Sequence, residues 1–120
     1  MIIDSHAHIF PDKIAQKAAD GIGNFYSMLE MRFDGKLSSL LDIGEKAGID
    51  KYVVQSVATI PAQVVSINTF IANCISEFPN KLIGFATMHP DFEDINGELD
   101  RAVSLGLKGI KIHPDFQQFC

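Results

Sequence analysis

The sequence predicts an α/β fold in which parallel strands alternate with helical crossovers. Three observations predict it. Short runs rich in β-branched residues begin near residues 2, 51, 81 and 107. Between them lie stretches whose apolar residues recur at helical spacing. Glycine or proline stands at nearly every junction, so the order reads β-α-β-α-β-α-β. Crossovers of this kind are right-handed.

Met1 to Ile9 is the first strand, bounded by Phe10-Pro11-Asp12, where Pro11 stops the ladder. Asp12 to Ala19 predicts a short helix ended by Gly21 and Gly23, and Asn24 to Gly35 a loop carrying Phe25, Tyr26 and Phe33. Lys36 to Ala47 is helical, with Leu37, Leu40, Leu41 and Ala47 on one stripe and Gly48 as the stop. Lys51 to Ala58 is the second strand. Pro61 opens a helix to about Phe78, with Val64, Ile67, Phe70, Ile71, Cys74 and Ile75 at helical spacing, and Pro79-Asn80 breaks it. Lys81 to Met88 is the third strand. His89-Pro90-Asp91 leads into a helix with the stripe Ile95, Leu99, Ala102 and Val103, ended by Gly106. Leu107 to His113 is the fourth strand, closed by Pro114. The first interval exceeds the others by the segment from Phe10 to Gly35, and in a βα barrel a loop after a strand lies on the catalytic face.

At 120 residues the chain is one domain or part of one. Hydrophobic residues at 47% and charged residues at 21% exclude a disordered, collagenous or coiled-coil chain. No apolar run approaches the ~20 residues of a membrane span. Met1 is followed at once by strand residues, so no signal peptide and no membrane partner are expected. The charge of −5 comes from 15 acidic and 10 basic residues without a Lys/Arg cluster, which argues against nucleic acid as a partner. Cys74 sits in an apolar helical pattern and Cys120 is the last residue, so a disulfide framework is not expected and a reducing cytoplasm fits.

The informative motif is Asp4-Ser5-His6-Ala7-His8. Strand alternation puts Asp4, His6 and His8 on one face. Two imidazoles two residues apart on a strand can reach one metal ion, and neutral imidazole suits Zn²⁺. The competing reading is a pair of core histidines at a strand end. In Gly106-Leu107-Lys108-Gly109-Ile110-Lys111-Ile112-His113-Pro114, Lys111 and His113 share a face. That face is expected to point inward, where a lysine must be paired, deprotonated or covalently modified. The alternative has Ile110 and Ile112 inside and Lys111 towards helix and solvent. His89 either lines a site or caps the next helix. Asp91 and Asp115 are expected as helix N-caps. Arg32, Tyr26 and Phe33 either contact a substrate, Arg32 through a carboxylate, or belong to a solvated loop.

The stretch Ile3-Asp4-Ser5-His6-Ala7-His8-Ile9-Phe10-Pro11, joined to Gly106 through Pro114, resembles the amidohydrolase superfamily, in particular its amidohydrolase-related branch, which also contains nonoxidative decarboxylases. The resemblance implies a (β/α)8 barrel of the TIM type, of which residues 1–120 cover about the first four βα units, with residues 10–35 as an active-site loop insertion. It implies His6 and His8 as metal ligands, Zn²⁺ first and Mn²⁺ second, with Asp4 orienting a ligand or the strand end. Phe10, Arg32 and His89 are the substrate-side candidates. Lys111 is comparable with the carboxylated lysine that bridges two metals in some members, and His113 is the one catalytic candidate present. The TatD-like deoxyribonucleases share the histidine pair but place Gly-Glu where this chain has Gly109-Ile110-Lys111.

The implied activity is metal-dependent hydrolysis of a small molecule, with decarboxylation as the alternative. The family's remaining ligands and base follow strands five, six and eight. A barrel of this class takes about 250 residues, so the expectation is a fragment inactive alone, completed by the C-terminal half of the barrel or by a homo-oligomer. A non-catalytic half-barrel that works by association is the other alternative, and a barrel piece with structural histidines and no metal is a third.

Overall fold

The computed structural model describes residues 1–27 and 33–119. Four strands form one parallel sheet in the order β1 (Ile3–His8), β2 (Lys51–Gln55), β3 (Leu82–Thr87), β4 (Gly109–Lys111). Strand order equal to chain order, joined by parallel crossovers that are right-handed as a rule, keeps the helices on one side and curls the sheet as an arc of a barrel. A doubly wound sheet would reverse direction part-way. The helices are α1 (Ala15–Phe25), α2 (Leu37–Lys46), α3 (Val64–Glu77), α4 (Ile95–Ser104) and a single turn, α5 (Pro114–Gln117); a 3-10 turn at Pro61–Gln63 leads into α3. None of the described helices is long and apolar enough to cross a membrane.

The core lies between the sheet's outer face and the helices. Val54, Leu82, Ala86 and Leu107 pack there against Ile71 and Cys74 of α3. Burial pushes the Cys74 thiol up to about 11, with Glu77 and Asp12 adding to the effect, so it behaves as an apolar side chain. A smaller cluster of Ala58, Val64 and Met88 seals the C-terminal end of the sheet. At the two free edges apolar residues stay uncovered: Ile110 on the outer face of β4, Ile112 just beyond it, and Ile2 and Ile3 at β1.

Gly48 ends α2 as expected. At φ +75° it lets Ile49 N–H donate to Gly44 O (2.9 Å) and its own N–H donate to Glu45 O, closing the helix on the β2 side. Other boundaries differ from the sequence reading. α1 runs through Gly21 and Gly23, because Ala15, Ala19 and Gly23 form a buried stripe of small residues that outweighs the roughly 1 kcal/mol each glycine costs. The cap of α4 is Asp94, whose carboxylate accepts from Gly97 N–H (2.9 Å), and not Asp91. Val103 is 73% exposed, and Glu98 takes the buried place on that helix beside Ala102. β4 stops at Lys111. His113 is then the N-cap of α5, and Asp115 lies inside its first turn instead of capping it.

Candidate functional site

The strand pairing locates the site. Asp4 pairs with Tyr52, but Ala7 pairs with Val54 and His8 with Gln55, so β1 carries one residue more than β2 between Asp4 and Ala7. That extra residue is a β-bulge, which re-aims side chains. Asp4 therefore faces the helix side with Tyr52, and does not share the face of His6 and His8. Its carboxylate closes the bulge: Oδ1 accepts the backbone N–H of His6 at 3.0 Å. Beyond the bulge, His6 and His8 project from the C-terminal end of β1 on one face, with Nε2 and Nε2 3.0 Å apart.

Both imidazoles are held in the neutral form. Burial pushes His8 down to about 4, helped by His6, Lys111 and His113. His6 is lowered mainly by burial and by the charge of Lys111, against the opposing pull of Asp4. The pair lines a cleft of about 400 Å³ that runs past Phe10 and Gly35 to Tyr52. The Phe10 ring lies over His8 with ring centres 6.5 Å apart and planes 15° from parallel.

Lys111 pairs with Thr87, and Gly109 with Phe85, so Lys111 shares the inner face of the sheet. There it acts as a cation on the imidazole pair. His113 follows it at the same end. Its Nδ1 accepts from Phe116 N–H (3.4 Å), and its Nε2 lies 2.9 Å from the hydroxyl of Tyr26, 87 positions away. His89 is buried, and its Nδ1 accepts from Asp91 N–H at 3.2 Å, so it braces the turn after β3. Arg32 lies outside the described residues.

Two polar groups absent from the sequence reading hold this end of the sheet together. Gln117 is buried. Its amide donates to Ala58 O (2.8 Å) and Met88 O (2.6 Å), and its carbonyl accepts from His113 N–H (2.8 Å), tying together the ends of three strands. Asn68 of α3 brackets Thr87: Oδ1 accepts from Thr87 N–H (2.7 Å), and Nδ2 donates to Thr87 O (3.1 Å) and to Glu98 (2.8 Å). Arg101 completes that network on Glu98 and holds its carboxyl below the usual range. A polar residue on the apolar stripe of α3 was the readable signal for Asn68; Gln117 had none.

The imidazole pair fits a divalent metal. Two nitrogens at 2.0–2.1 Å from one ion stand ~2.8–3.4 Å apart for ligand angles between right and tetrahedral, and both rings are neutral as ligation requires. Among the described residues no group of three or more His, Cys, Asp and Glu side chains is placed to hold an ion. By themselves His6 and His8 could supply two of the ligands such an ion needs.

No protein-family model matches the chain, and no curated protein does. Solved structures do match. Against a 4-oxalomesaconate hydratase from Rhodopseudomonas palustris the TM-score is 0.65 at 22% identity, over 96% of this chain and 42% of that one. A Staphylococcus aureus protein assigned as an amidohydrolase gives 0.62 at 21%, over 91% and 36%. A 2,6-dihydroxybenzoate decarboxylase, solved with 2,6-dihydroxybenzoate, gives 0.64 at 19%, over 93% and 39%. At these identities the likeness defines the fold: the chain has the architecture of part of a (β/α) barrel. It spans about two fifths of the length of the solved structures it matches.

Proposed function

We propose that the chain is the metal-holding half of a metal-dependent hydrolase of the amidohydrolase superfamily, acting on a small molecule. The observation that carries this reading is the pair of neutral imidazoles at the end of β1, with ring nitrogens 3.0 Å apart. His6 and His8 hold the ion, Zn²⁺ foremost. When bound, such an ion polarises a substrate carbonyl and acidifies a water. Asp4 sets the strand geometry that aims His6. The Phe10 ring walls the His8 side of the site and limits its access to water. Catalytic zinc sites take three protein ligands, so the remaining ligands and the base come from the part of a barrel beyond β4, and residues 1–120 alone give no turnover. The free edges of β1 and β4 take the strands of that part. Nonoxidative decarboxylation is the second reading, favoured by the decarboxylase among the solved structures.

The test is metal titration of the chain beside His6→Ala/His8→Ala. About one ion per chain, lost in the double variant, supports the reading. Equal uptake by both proteins overturns it, and so does metal-dependent turnover that survives the double substitution.

A further inference from the structure

The segment between Phe10 and Gly35 is pinched at its base, where Phe10 N–H donates to Gly35 O at 2.9 Å. Its helix α1 ends against the far side of the sheet. Phe25 meets Phe116 edge-on with ring centres 4.2 Å apart, Phe116 stacks on His113 at 4.3 Å, and Tyr26 reaches His113 Nε2 at 2.9 Å.

This contact fixes where protons sit. His113 Nδ1 accepts from Phe116 N–H, so in the neutral ring the proton is on Nε2. Nε2–H then donates to the Tyr26 oxygen. A hydroxyl that accepts from His113 directs its own proton elsewhere, and Tyr26 is 53% exposed. The hydroxyl thereby stands at the C-terminal end of the sheet beside β4, whose inner face carries Lys111 two residues before His113. Gln117 holds the His113 backbone in place.

We infer that Tyr26 contacts the ligand: its hydroxyl, oriented by His113, is a fixed donor to an anionic oxygen of carboxylate type, with Lys111 supplying positive charge from the same end of β4. His113 is the positioning residue and not a metal ligand. The inference rests on the proposed function only in taking the C-terminal end of the sheet as the ligand's side, and it needs no metal.

The test uses the full chain, stripped of metal with a chelator and labelled with ¹⁵N. Long-range ¹H–¹⁵N spectra show His113 as the Nε2–H tautomer. Acetate shifts the His113 ring nitrogens saturably, whereas acetamide, of the same shape without charge, does not. Tyr26→Phe preserves the backbone spectrum and weakens acetate binding roughly tenfold, about what one hydrogen bond to a charged group contributes. A wild-type His113 protonated on Nδ1, a wild-type chain indifferent to acetate, or a Tyr26→Phe chain that binds acetate as tightly as wild type each overturns the inference. The first two readouts need no variant, so they decide the matter even if Tyr26→Phe does not fold. A chain that passes all three yet takes up no metal sinks the hydrolase reading alone.

Discussion

The Asp4 carboxylate accepts the backbone N–H of His6 at 3.0 Å, within the bulge that separates it from the imidazole face. An acidic residue written in phase with two histidines thus acts on the strand, and through the strand on His6. Asp4→Ala is expected to relax the bulge and weaken metal binding about tenfold or more, the scale of lost outer-shell support. Asp4→Asn keeps an acceptor oxygen and is expected to stay near wild type. Isothermal titration with Zn²⁺ checks both; an unchanged affinity in Asp4→Ala sinks the assignment.

The His8 ring gives the chain an acid-sensitive stability. Burial first, then His6, Lys111 and His113, lower its folded value to about 4 from 6.5. Between those values the unfolded chain binds more protons, so stability is complete above about pH 6.5 and is lost as pH falls through the folded value. Lys111→Met removes one repelling charge, and the His8 titration followed by NMR is expected to move upward. A titration unmoved by the substitution would show that Lys111 does not act on the ring.

Gly44 leaves room for Tyr52. A methyl group at Gly44 would fall on the Tyr52 hydroxyl and ring, which are buried beneath α2. Gly44→Ala is expected to cost about 2 kcal/mol by overpacking, and Tyr52→Phe to return only part of that, since the ring carbons also collide. Urea unfolding of the single and double variants measures it. Additive losses would mean the two sites do not touch.

Gln117 satisfies two carbonyls and one N–H on three strand ends. Gln117→Ala orphans them and is expected to cost about 2–3 kcal/mol. Hydrogen exchange should accelerate at the His113 N–H, the amide that Gln117 holds directly, before the centre of β3. Uniform acceleration across the sheet would argue against a local clasp.

The strand–helix alternation was legible because it is written in local signals: Gly48 and Gly106 stop helices at positive φ, and Pro79 separates α3 from β3. The histidine pair was legible because the spacing of His6 and His8 survives beyond the bulge. Period-two alternation puts Asp4 on the imidazole face, whereas the pairing puts it opposite Tyr52, because a bulge is a property of two strands together and neither alone reveals it. Gly21 and Gly23 carry a stop signal for α1 that tertiary packing overrides, so the helix runs on to Phe25. The Tyr26–His113 contact and the Gln117 clasp join residues far apart in the chain, and nothing in either segment's pattern announces the other. Asp91 and Asp115 illustrate the opposite limit: capping chemistry is present at both helix starts, but Asp94 and His113 stand at the positions where the helices begin.

The pinch between Phe10 and Gly35 has a consequence for how such a chain can diverge. Because one backbone hydrogen bond closes the excursion at its neck, residues can be added, removed or exchanged within it without altering the spacing of β1 and α2. The imidazole pair and the segment that arches towards β4 are then separate inheritances. A lineage can keep the geometry of the imidazole pair while it tries out many different helices beside it.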